Sequence, residues 1–396
     1  MSKTVYLDNN ATTQVAPEVR EAMMPFLGER YGNPSSMHAF GGRIGDDLAR
    51  ARERVAAFLN CEPDEIIFTS CATESDNTAL RGSADWYGRD MKVITTAVEH
   101  PAVLQPARPL KARGHNVVEL PVDHVGQIDL DQLRAELKGT RRALVSVMWA
   151  NNETGTVFPI QAVAEIAKEY GAIMHTDAVQ AAGKVPFDMK KTPVDLLAIS
   201  GHKFHAPKGV GALFVRRGTR LKPFMLGGHQ ENGRRAGTEN VPYIAALAAA
   251  CDLAQAHRET EAAQIAALRD RLEAGILATC PNVRVNGDIA HRLPNTLNVS
   301  FEYIEGEAIA YHLSDAGICI STGSACASGS LDPSHVIRAM GVPFIAVHGS
   351  IRFSFSRYNT DADVDYVLEK LPPIIKNLRD LSPFGPDKTP ITDDLA

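Results

Sequence analysis

Two short segments of the chain carry residue types that can do chemistry on a bound cofactor. The first is His-Thr-Asp-Ala-Val-Gln at residues 175–180, and the second is Ser-Gly-His-Lys at residues 200–203. Each segment follows an apolar run that is typical of a buried strand, at 171–175 and 194–200. Because ligands collect at the carboxyl ends of parallel strands, both segments are expected at one edge of a sheet.

Asp177 and Lys203 form a pair that suits pyridoxal phosphate. A lysine amine forms a Schiff base with this cofactor, and a carboxylate keeps the ring nitrogen protonated so that the ring accepts the electrons of a carbanion. Any single Asp or Lys lies more often on an unrelated solvated loop. The prediction therefore depends on the segments that accompany this pair.

The elements that must position these residues alternate along the chain. Strands are predicted from β-branched runs at residues 66–69, 92–97, 116–121, 143–149, 172–175 and 196–200. Helices are predicted from apolar spacing at residues 43–59, 129–137 and 160–170. This alternation predicts an α/β fold with a mostly parallel, doubly wound sheet.

The character of the sequence changes after Pro242. A long helix to about residue 277 is predicted, then a strand at 296–301, a helix at 307–316 and a strand at 350–356. We expect a large domain at 16–258 and a smaller α+β domain made of residues 1–15 with 259–385. The polar, proline-bearing tail at 386–396 is predicted to be disordered.

Length and composition narrow the class of protein. The chain has 396 residues, which is too long for one core, and its net charge of −6 gives no electrostatic case for a nucleic-acid partner. Six cysteines without a CxxC pair predict free thiols in a reducing compartment. The longest apolar stretch, 241–251, is too short to cross a bilayer. With no signal core at the start, these features predict a cytoplasmic protein with no membrane partner.

Three further predicted strand ends carry polar side chains. Residues 70–77 form a strand-to-helix turn whose free N–H groups suit a phosphate, and Thr73 adds a hydroxyl; a plain capping box is the alternative. His100 could stack on a flat ring and move protons, although a single histidine is more often structural. The amides at 151–152 could reach a ring oxygen or a substrate carboxylate, with an Asx turn as the alternative.

A second informative segment surrounds Cys326. Residues 320–330 are small and hydroxylated around one thiol, which predicts a mobile, exposed loop. A structural cysteine prefers burial, so a thiol kept on such a loop points to reactivity; an unimportant surface cysteine is the alternative. Cys319 lies in an apolar run and is predicted to be packed.

Arg352 lies in an alternating, strand-like stretch. Its planar guanidinium can donate two hydrogen bonds to an α-carboxylate, and a salt bridge at the rim is the alternative. Two other motifs give weaker indications of function. Residues 209–211 lack the third glycine of a dinucleotide fingerprint, and His202 with His205 lacks further metal ligands at convincing spacing.

Together these segments resemble the pyridoxal-phosphate cysteine desulfurases. The resemblance covers nearly the whole chain in order and rests on residues 6–13 (YLDNNATT), 32–36 (GNPSS), 175–180, 200–203 and 235–238 (RAGT). It implies a fold-type I aminotransferase architecture and a homodimer with active sites at the subunit interface. Within this family, the nitrogen-fixation branch is most similar at residues 66–77, 302–307, 333–336 and 381–384. That branch implies sulfur supply for nitrogenase iron–sulfur clusters through a scaffold protein.

The resemblance also implies roles for individual residues. Lys203 would carry the cofactor, Asp177 would pair with the ring nitrogen and His100 would cover the ring face. Gln180 would contact the ring hydroxyl. The implied phosphate contacts are the backbone of Ala72, the side chains of Thr73, Ser200 and His202, and Thr238 from the partner subunit.

The implied substrate is L-cysteine. Arg352 would bind its carboxylate, helped by Asn33 and by Asn151, which also counts among the implied cofactor contacts. Lys203 would remove the Cα proton, and His100 would serve the proton traffic at the leaving side. Cys326 would take the sulfur as a persulfide, leaving L-alanine, and a transient contact of Cys326 with iron stays open.

Three alternatives to a cysteine desulfurase stay open. A selenocysteine lyase or a cysteine sulfinate desulfinase would share every cofactor residue. A transaminase of the same fold would not need a thiol on a glycine–serine loop. A sulfur carrier that keeps the fold without chemistry would not need the intact pair of Asp177 and Lys203.

Overall fold

The computed structural model describes residues 4–322, 332–385 and 388. Its helices are α1 (Pro17–Leu27), α2 (Ala39–Leu59), α3 (Ala72–Tyr87), α4 (Pro101–Ala112), α5 (Leu130–Leu137), α6 (Ile160–Glu169), α7 (Val241–Thr279), α8 (Gly306–Asp315), α9 (His335–Ala339), α10 (Phe344–Val347) and α11 (Asp361–Leu381). Its strands are β1 (Val5–Tyr6), β2 (Ile66–Thr69), β3 (Lys92–Thr96), β4 (Val117–Leu120), β5 (Ala143–Ser146), β6 (Ile173–Asp177), β7 (Leu196–Ser200), β8 (Gly211–Val215), β9 (Val283–Asn286), β10 (Thr296–Phe301), β11 (Ile318–Cys319), β12 (Ser321–Thr322) and β13 (Ser350–Ser354).

A seven-stranded sheet organises the first two thirds of the chain, in the order β2-β8-β7-β6-β5-β3-β4. The five strands from β7 to β4 are parallel, whereas β8 pairs antiparallel with both β2 and β7. Strands β5 and β7 are buried along their whole length, as expected for a parallel sheet with helices on both faces. The predicted α/β fold with a mostly parallel sheet is confirmed.

A second, four-stranded antiparallel sheet has the order β12-β13-β10-β9, and β1 pairs in parallel with β11 beside it. Its core includes Val5 and Leu7 from the start of the chain together with residues of α7, α8 and α11. Helix α7 crosses residue 258 without a break: Leu247 packs in the core of the large sheet and Leu272 in the second core. The two proposed domain ranges, 16–258 and 1–15 with 259–385, stay a prediction.

Most predicted elements lie within one or two residues of the observed ones. Helix α2 begins at Ala39, four residues before the predicted start at residue 43. The predicted strand 143–149 ends at Ser146, although Trp149 still donates to the carbonyl of Asp177 at 2.8 Å. Strand β8 is not among the predicted strands, and neither are the short strands β1, β9, β11 and β12. In the described residues, no helix has the length and apolar character needed to span a membrane. Apart from Lys388, the predicted tail 386–396 lies outside the described residues.

Candidate active site

A cavity of about 500 Å³ lies at the carboxyl edge of the parallel strands, where the four-stranded sheet and the N-terminal segment also reach it. Nine predicted site residues line this cavity: Ala72, Thr73, His100, Asp177, Gln180, Ser200, His202, Lys203 and Arg352. They come from five separate segments of the chain. The fold therefore brings together most of the side chains that the sequence indicated.

The N-terminus of α3 forms one end of the cavity. The residue at its N-cap is Cys71, whose side chain makes no capping hydrogen bond, so the capping-box alternative is not what the structure has. Glu74 turns back to accept hydrogen bonds from Ser70 and Arg235 instead. This helix of 16 residues thus presents uncapped N–H groups to the cavity, which is an arrangement that favours an anion.

Asp177 ends β6 and is buried at the floor of the cavity. Its Oδ1 accepts a hydrogen bond from the Val179 amide at 2.9 Å. Burial, followed by the neighbouring Asp76, raises the pKa of the Asp177 carboxyl to about 7. A carboxylate in such a place is stabilised by a cation in the cavity.

Lys203 follows β7 in a short helical turn and is held by the N-terminal segment. Its Nζ donates to the carbonyl oxygens of Asn10 at 2.6 Å and Ala11 at 2.9 Å. The Gln180 amide also donates to the Asn10 carbonyl, at 3.0 Å, while Gln180 Oε1 has no hydrogen-bond partner among residues 4–322, 332–385 and 388. The segment 6–13, to which the sequence assigns no individual roles, thus holds Lys203 and Gln180 in the fold.

His100 is the N-cap of α4, and its ring borders the cavity. Nδ1 accepts a hydrogen bond from the Ala102 amide at 3.0 Å, which leaves the ring proton of a neutral imidazole on Nε2. Burial, followed by the charges of Lys203 and His335, lowers the pKa of His100 to about 4. His100 is therefore a neutral, flat donor at neutral pH.

Arg352 on β13 reaches the cavity from the four-stranded sheet. Its Nη2 donates to Asp8 at 2.7 Å and its Nη1 to the carbonyl of Asn152 at 2.9 Å. Within the described part of the chain, Nε has no partner. The side chain is only 7% exposed, so this is not a salt bridge at a solvated rim. A buried guanidinium with a donor to spare suits a carboxylate ligand.

Three predicted residues do not line this cavity. The Asn151 side chain is used inside its own turn, where Oδ1 accepts from two backbone amides and Nδ2 donates to the Val98 carbonyl at 3.0 Å. Asn33 is exposed and accepts from the Ser35 amide, and Thr238 is also exposed. Their proposed roles stay predictions. The predicted nucleophile Cys326, with its possible iron contact, lies outside the described residues.

Several buried ionisable residues near the cavity were not among the predicted site residues: Asp76, Glu99, Glu153 and His175. Asp76 and His175 belong to the segments 70–77 and 175–180, and Glu99 and Glu153 adjoin His100 and the amides at 151–152. Their position at polar strand ends is the signal that could have indicated them. Glu153 borders the cavity and accepts a hydrogen bond from Ser334, and burial raises its pKa to about 7. Their charge states follow from burial, which the sequence alone does not give.

Comparison with known proteins assigns the class. Residues 5–367 match the model of the class-V aminotransferase family, and the chain belongs to that family. A cysteine desulfurase of Trichormus azollae is 57% identical over 384 residues, which covers 97% of this chain and 96% of the relative. The cysteine desulfurase NifS of Azotobacter vinelandii is 53% identical and covers 98% and 97%. These matches confirm the resemblance seen in the sequence.

Solved structures agree with this assignment. A structure titled NifS-like protein superposes with a TM-score of 0.89 at 40% identity, covering 95% of this chain and all of that one. A structure titled SspA in complex with cysteine superposes with a TM-score of 0.79 at 32% identity, covering 90% of this chain and all of that one. The fold is thus that of the NifS-like enzymes.

Proposed function

We propose that this protein is a pyridoxal-phosphate-dependent cysteine desulfurase that converts L-cysteine to L-alanine and passes the sulfur to Cys326. The observation that carries the proposal is the meeting of Lys203, Asp177 and Arg352 in one cavity. A lysine amine, a buried carboxylate and a buried guanidinium are the three groups that an amino acid and this cofactor need. Relatives that are 52–57% identical over the whole chain are named cysteine desulfurases.

The residues of the cavity fit pyridoxal phosphate. The uncapped N-terminus of α3, with Thr73, Ser200 and His202 beside it, would hold the phosphate. Asp177 would face the ring nitrogen, and the raised pKa of its carboxyl would fall once a cation lies beside it. The unpartnered Oε1 of Gln180 is free to accept a hydrogen bond from the ring hydroxyl. When bound, the cofactor supplies a ring that accepts the electrons left at the substrate Cα.

Lys203 and Arg352 then act on the substrate. Arg352 orients L-cysteine by binding its carboxylate, with Asp8 and the Asn152 carbonyl fixing the plane of the guanidinium. Lys203 removes the Cα proton as a neutral amine, and the carbonyls of Asn10 and Ala11 receive its ammonium form. The neutral His100 covers one side of the cavity and donates a hydrogen bond from Nε2.

The sulfur transfer is a displacement at sulfur. The thiolate of Cys326 attacks the substrate sulfur, so an S–S bond forms as the Cβ–S bond breaks. The electron pair of that bond stays with the substrate, whose carbon atoms take up the protons that complete L-alanine. The balanced reaction is L-cysteine plus Cys326 thiol giving L-alanine plus Cys326 persulfide, with no external oxidant.

Other parts of the proposal concern assembly and delivery. Thr238 is exposed, which supports its proposed role at the phosphate of a partner subunit in a homodimer. Asn33 and Asn151 are kept as proposed aids to carboxylate binding. We also propose domains at 16–258 and 1–15 with 259–385, a cytoplasmic location, and delivery of the sulfur to an iron–sulfur scaffold protein, in a nitrogen-fixing cell to nitrogenase clusters.

One experiment tests the activity and the nucleophile together. The purified protein, loaded with pyridoxal phosphate, is given L-cysteine, and alanine is measured while mass spectrometry follows Cys326. The expected results are alanine formation and one added sulfur on Cys326, both lost in Cys326→Ala and kept in the matched variant Cys319→Ala. Normal alanine formation by Cys326→Ala would refute the nucleophile. Selenocysteine and cysteine sulfinate, offered in competition, distinguish the two related lyases.

A further inference from the structure

Asp76 is a cavity residue to which the proposed mechanism gives no role. It lies on α3, it is completely buried, and it borders the same cavity as Asp177 and Lys203. Across residues 4–322, 332–385 and 388, neither of its carboxyl oxygens has a hydrogen-bond partner. Nε2 of His175 lies 3.4 Å from Asp76 Oδ1.

His175 connects Asp76 to the strands that build the site. The other ring nitrogen of His175, Nδ1, lies 2.8 Å from Ser146 Oγ, and the two residues are register partners on β6 and β5. His175 and Ser146 are also completely buried. Asp177 follows His175 by two positions on β6, so both side chains point to the same face of the sheet.

The charge state of this group follows from its surroundings. An ionised carboxylate with neither a hydrogen bond nor a cation is very costly in a protein interior. Burial raises the pKa of Asp76 well above its ordinary value and lowers that of His175 to about 4. Glu99 also faces this group, and burial raises its pKa as well. At neutral pH the stable form therefore pairs a carboxylic acid with a neutral imidazole.

A carboxylic acid needs an acceptor for its proton, and Nε2 of a neutral His175 is the acceptor at hand. The separation of 3.4 Å is a few tenths of an ångström longer than an ordinary hydrogen bond, so the two groups must approach by about that much for the bond to form. Donation to Nε2 fixes the ring proton on Nδ1, from where it donates to Ser146 Oγ. The three side chains then form one directed chain of hydrogen bonds.

We propose that Asp76 is a positioning residue: as a neutral acid it donates to His175, and the Asp76–His175–Ser146 chain keeps a second negative charge away from Asp177, which would face the ring nitrogen. The inference rests on the proposed function, because the ring nitrogen is that of pyridoxal phosphate. A negative charge on Asp76 would raise the pKa of Asp177 and so weaken its pairing with the ring. Neutrality at position 76 is therefore the property that matters.

Two variants of Asp76 separate a neutral donor from a charge. Asp76→Asn keeps a neutral donor of the same shape, and Asp76→Leu keeps the branched shape, is somewhat larger and removes the donor. With the loaded enzyme, we expect Asp76→Leu to lose about tenfold in kcat/KM and to move the pH midpoint of the cofactor absorbance by about one unit. Asp76→Asn should restore both to near the wild-type values. An infrared difference spectrum at pH 7 should show a protonated carboxyl band in the wild type that is lost in Asp76→Asn.

Three outcomes would overturn the inference. The first is a shift of the absorbance midpoint in Asp76→Asn as large as that in Asp76→Leu. The second is wild-type kcat/KM and midpoint in Asp76→Leu. The third is an infrared band of an ionised carboxylate at Asp76 in place of the protonated band. If Asp76→Leu does not fold, the kinetics of Asp76→Asn and the infrared band still test whether Asp76 acts as a neutral donor. A wild-type protein that forms no alanine would refute the proposed function instead, and the infrared result would not depend on it.

Discussion

The seven-stranded sheet and the four-stranded sheet both bury polar side chains on their strands, but the side chains are of different kinds. On the first sheet they include the ionisable His175 and Asp177 beside neutral hydroxyls, with Asp76 packed against them. On the second sheet they are neutral amides and hydroxyls, apart from Arg352 on β13, which lines the cavity. Because both sets are almost completely buried, the difference in chemistry is not a difference in exposure.

The neutral set on the four-stranded sheet forms a connected network across three strands. Asn286 Nδ2 donates to Asn298 Oδ1 at 2.7 Å and to Ser300 Oγ at 2.8 Å. Ser350 Oγ donates to the same Asn298 oxygen at 3.0 Å. Among the described atoms of this network, Asn286 Oδ1 is the one without a partner. Such a network stabilises the pairing of strands and needs no ligand.

The ionisable set is left incomplete by the protein alone. Both oxygens of Asp76, Oε2 of Glu99 and Nε2 of His175 lack hydrogen-bond partners in the described structure. Buried groups of this kind lower stability, and they are typical of sites where a ligand completes the contacts. Ionisable groups with unmet hydrogen bonds therefore lie at the functional edge of the first sheet, whereas the neutral groups of the second sheet mostly bond to one another and stabilise the scaffold.

The largest expected effect comes from removing the central amine of the ionisable set. Lys203→Ala deletes both the attachment point of the cofactor and the proposed base, so alanine formation should fall by about a thousandfold or more. The visible absorbance of the attached cofactor should be lost as well. The matched control is Lys208→Ala, an exposed lysine on the same loop, which should behave as the wild type. Substantial turnover by Lys203→Ala would contradict the assignment.

A smaller effect is expected where the two sheets meet, at Arg352. Arg352→Lys keeps the positive charge but loses the planar pair of donors, so KM for L-cysteine should rise about tenfold to a hundredfold with kcat changed less. Steady-state kinetics measure both constants. The control, Arg357→Lys, alters an arginine that pairs with Glu261. An unchanged KM in Arg352→Lys would place the carboxylate elsewhere.

Much of this site could be predicted from the sequence, because its residues stand at strand ends that the sequence marks clearly. Lys203 and Asp177 follow apolar runs, and α/β topology puts such ends on one edge. Arg352 lies in an alternating apolar and polar stretch that predicts a strand. What these residues share is a local pattern, the end of an apolar run or an alternating strand, that marks their positions in the sequence.

The rest could not be predicted, for physical reasons that differ by residue. The contact of Lys203 with Asn10 joins positions 193 apart in the chain, and no local pattern encodes it. The neutral state of His100 depends on burial. Asn151 is of a residue type that often contacts ligands. Its Oδ1 instead accepts hydrogen bonds from two backbone amides of its own turn, which is the Asx-turn alternative.

A still smaller effect is expected when Glu153, an ionisable group at the cavity, is replaced by the neutral glutamine. Burial raises the pKa of Glu153 from 4.5 to about 7, so between these values the folded protein holds a proton that the unfolded chain has lost. The wild-type free energy of unfolding therefore falls as pH rises through this window. Glu153→Gln removes that dependence and should gain about 3 kcal/mol over the wild type between pH 4 and pH 8. Chemical denaturation at several pH values measures the difference.

A control with the opposite sign exists at the surface. The Arg108 guanidinium lowers the pKa of Glu119, so the stability from that carboxylate is present above its unfolded pKa and is lost as pH falls. Glu119→Gln should therefore lose stability relative to the wild type at high pH, where Glu153→Gln gains it. If both variants changed with pH in the same direction, burial would not be the cause of the Glu153 effect.

The smallest expected effect lies in the neutral network. Asn286→Ala removes two donated hydrogen bonds and leaves acceptors on Asn298 and Ser300 short of a donor, so the free energy of unfolding should fall by about 2 kcal/mol. At a temperature where the variant is folded, kcat and KM should match the wild type. Denaturation and steady-state kinetics on the same preparation check both parts. A drop in kcat without a loss of stability would mean that the four-stranded sheet takes part in catalysis through its neutral groups, and the contrast between the two sheets would not hold.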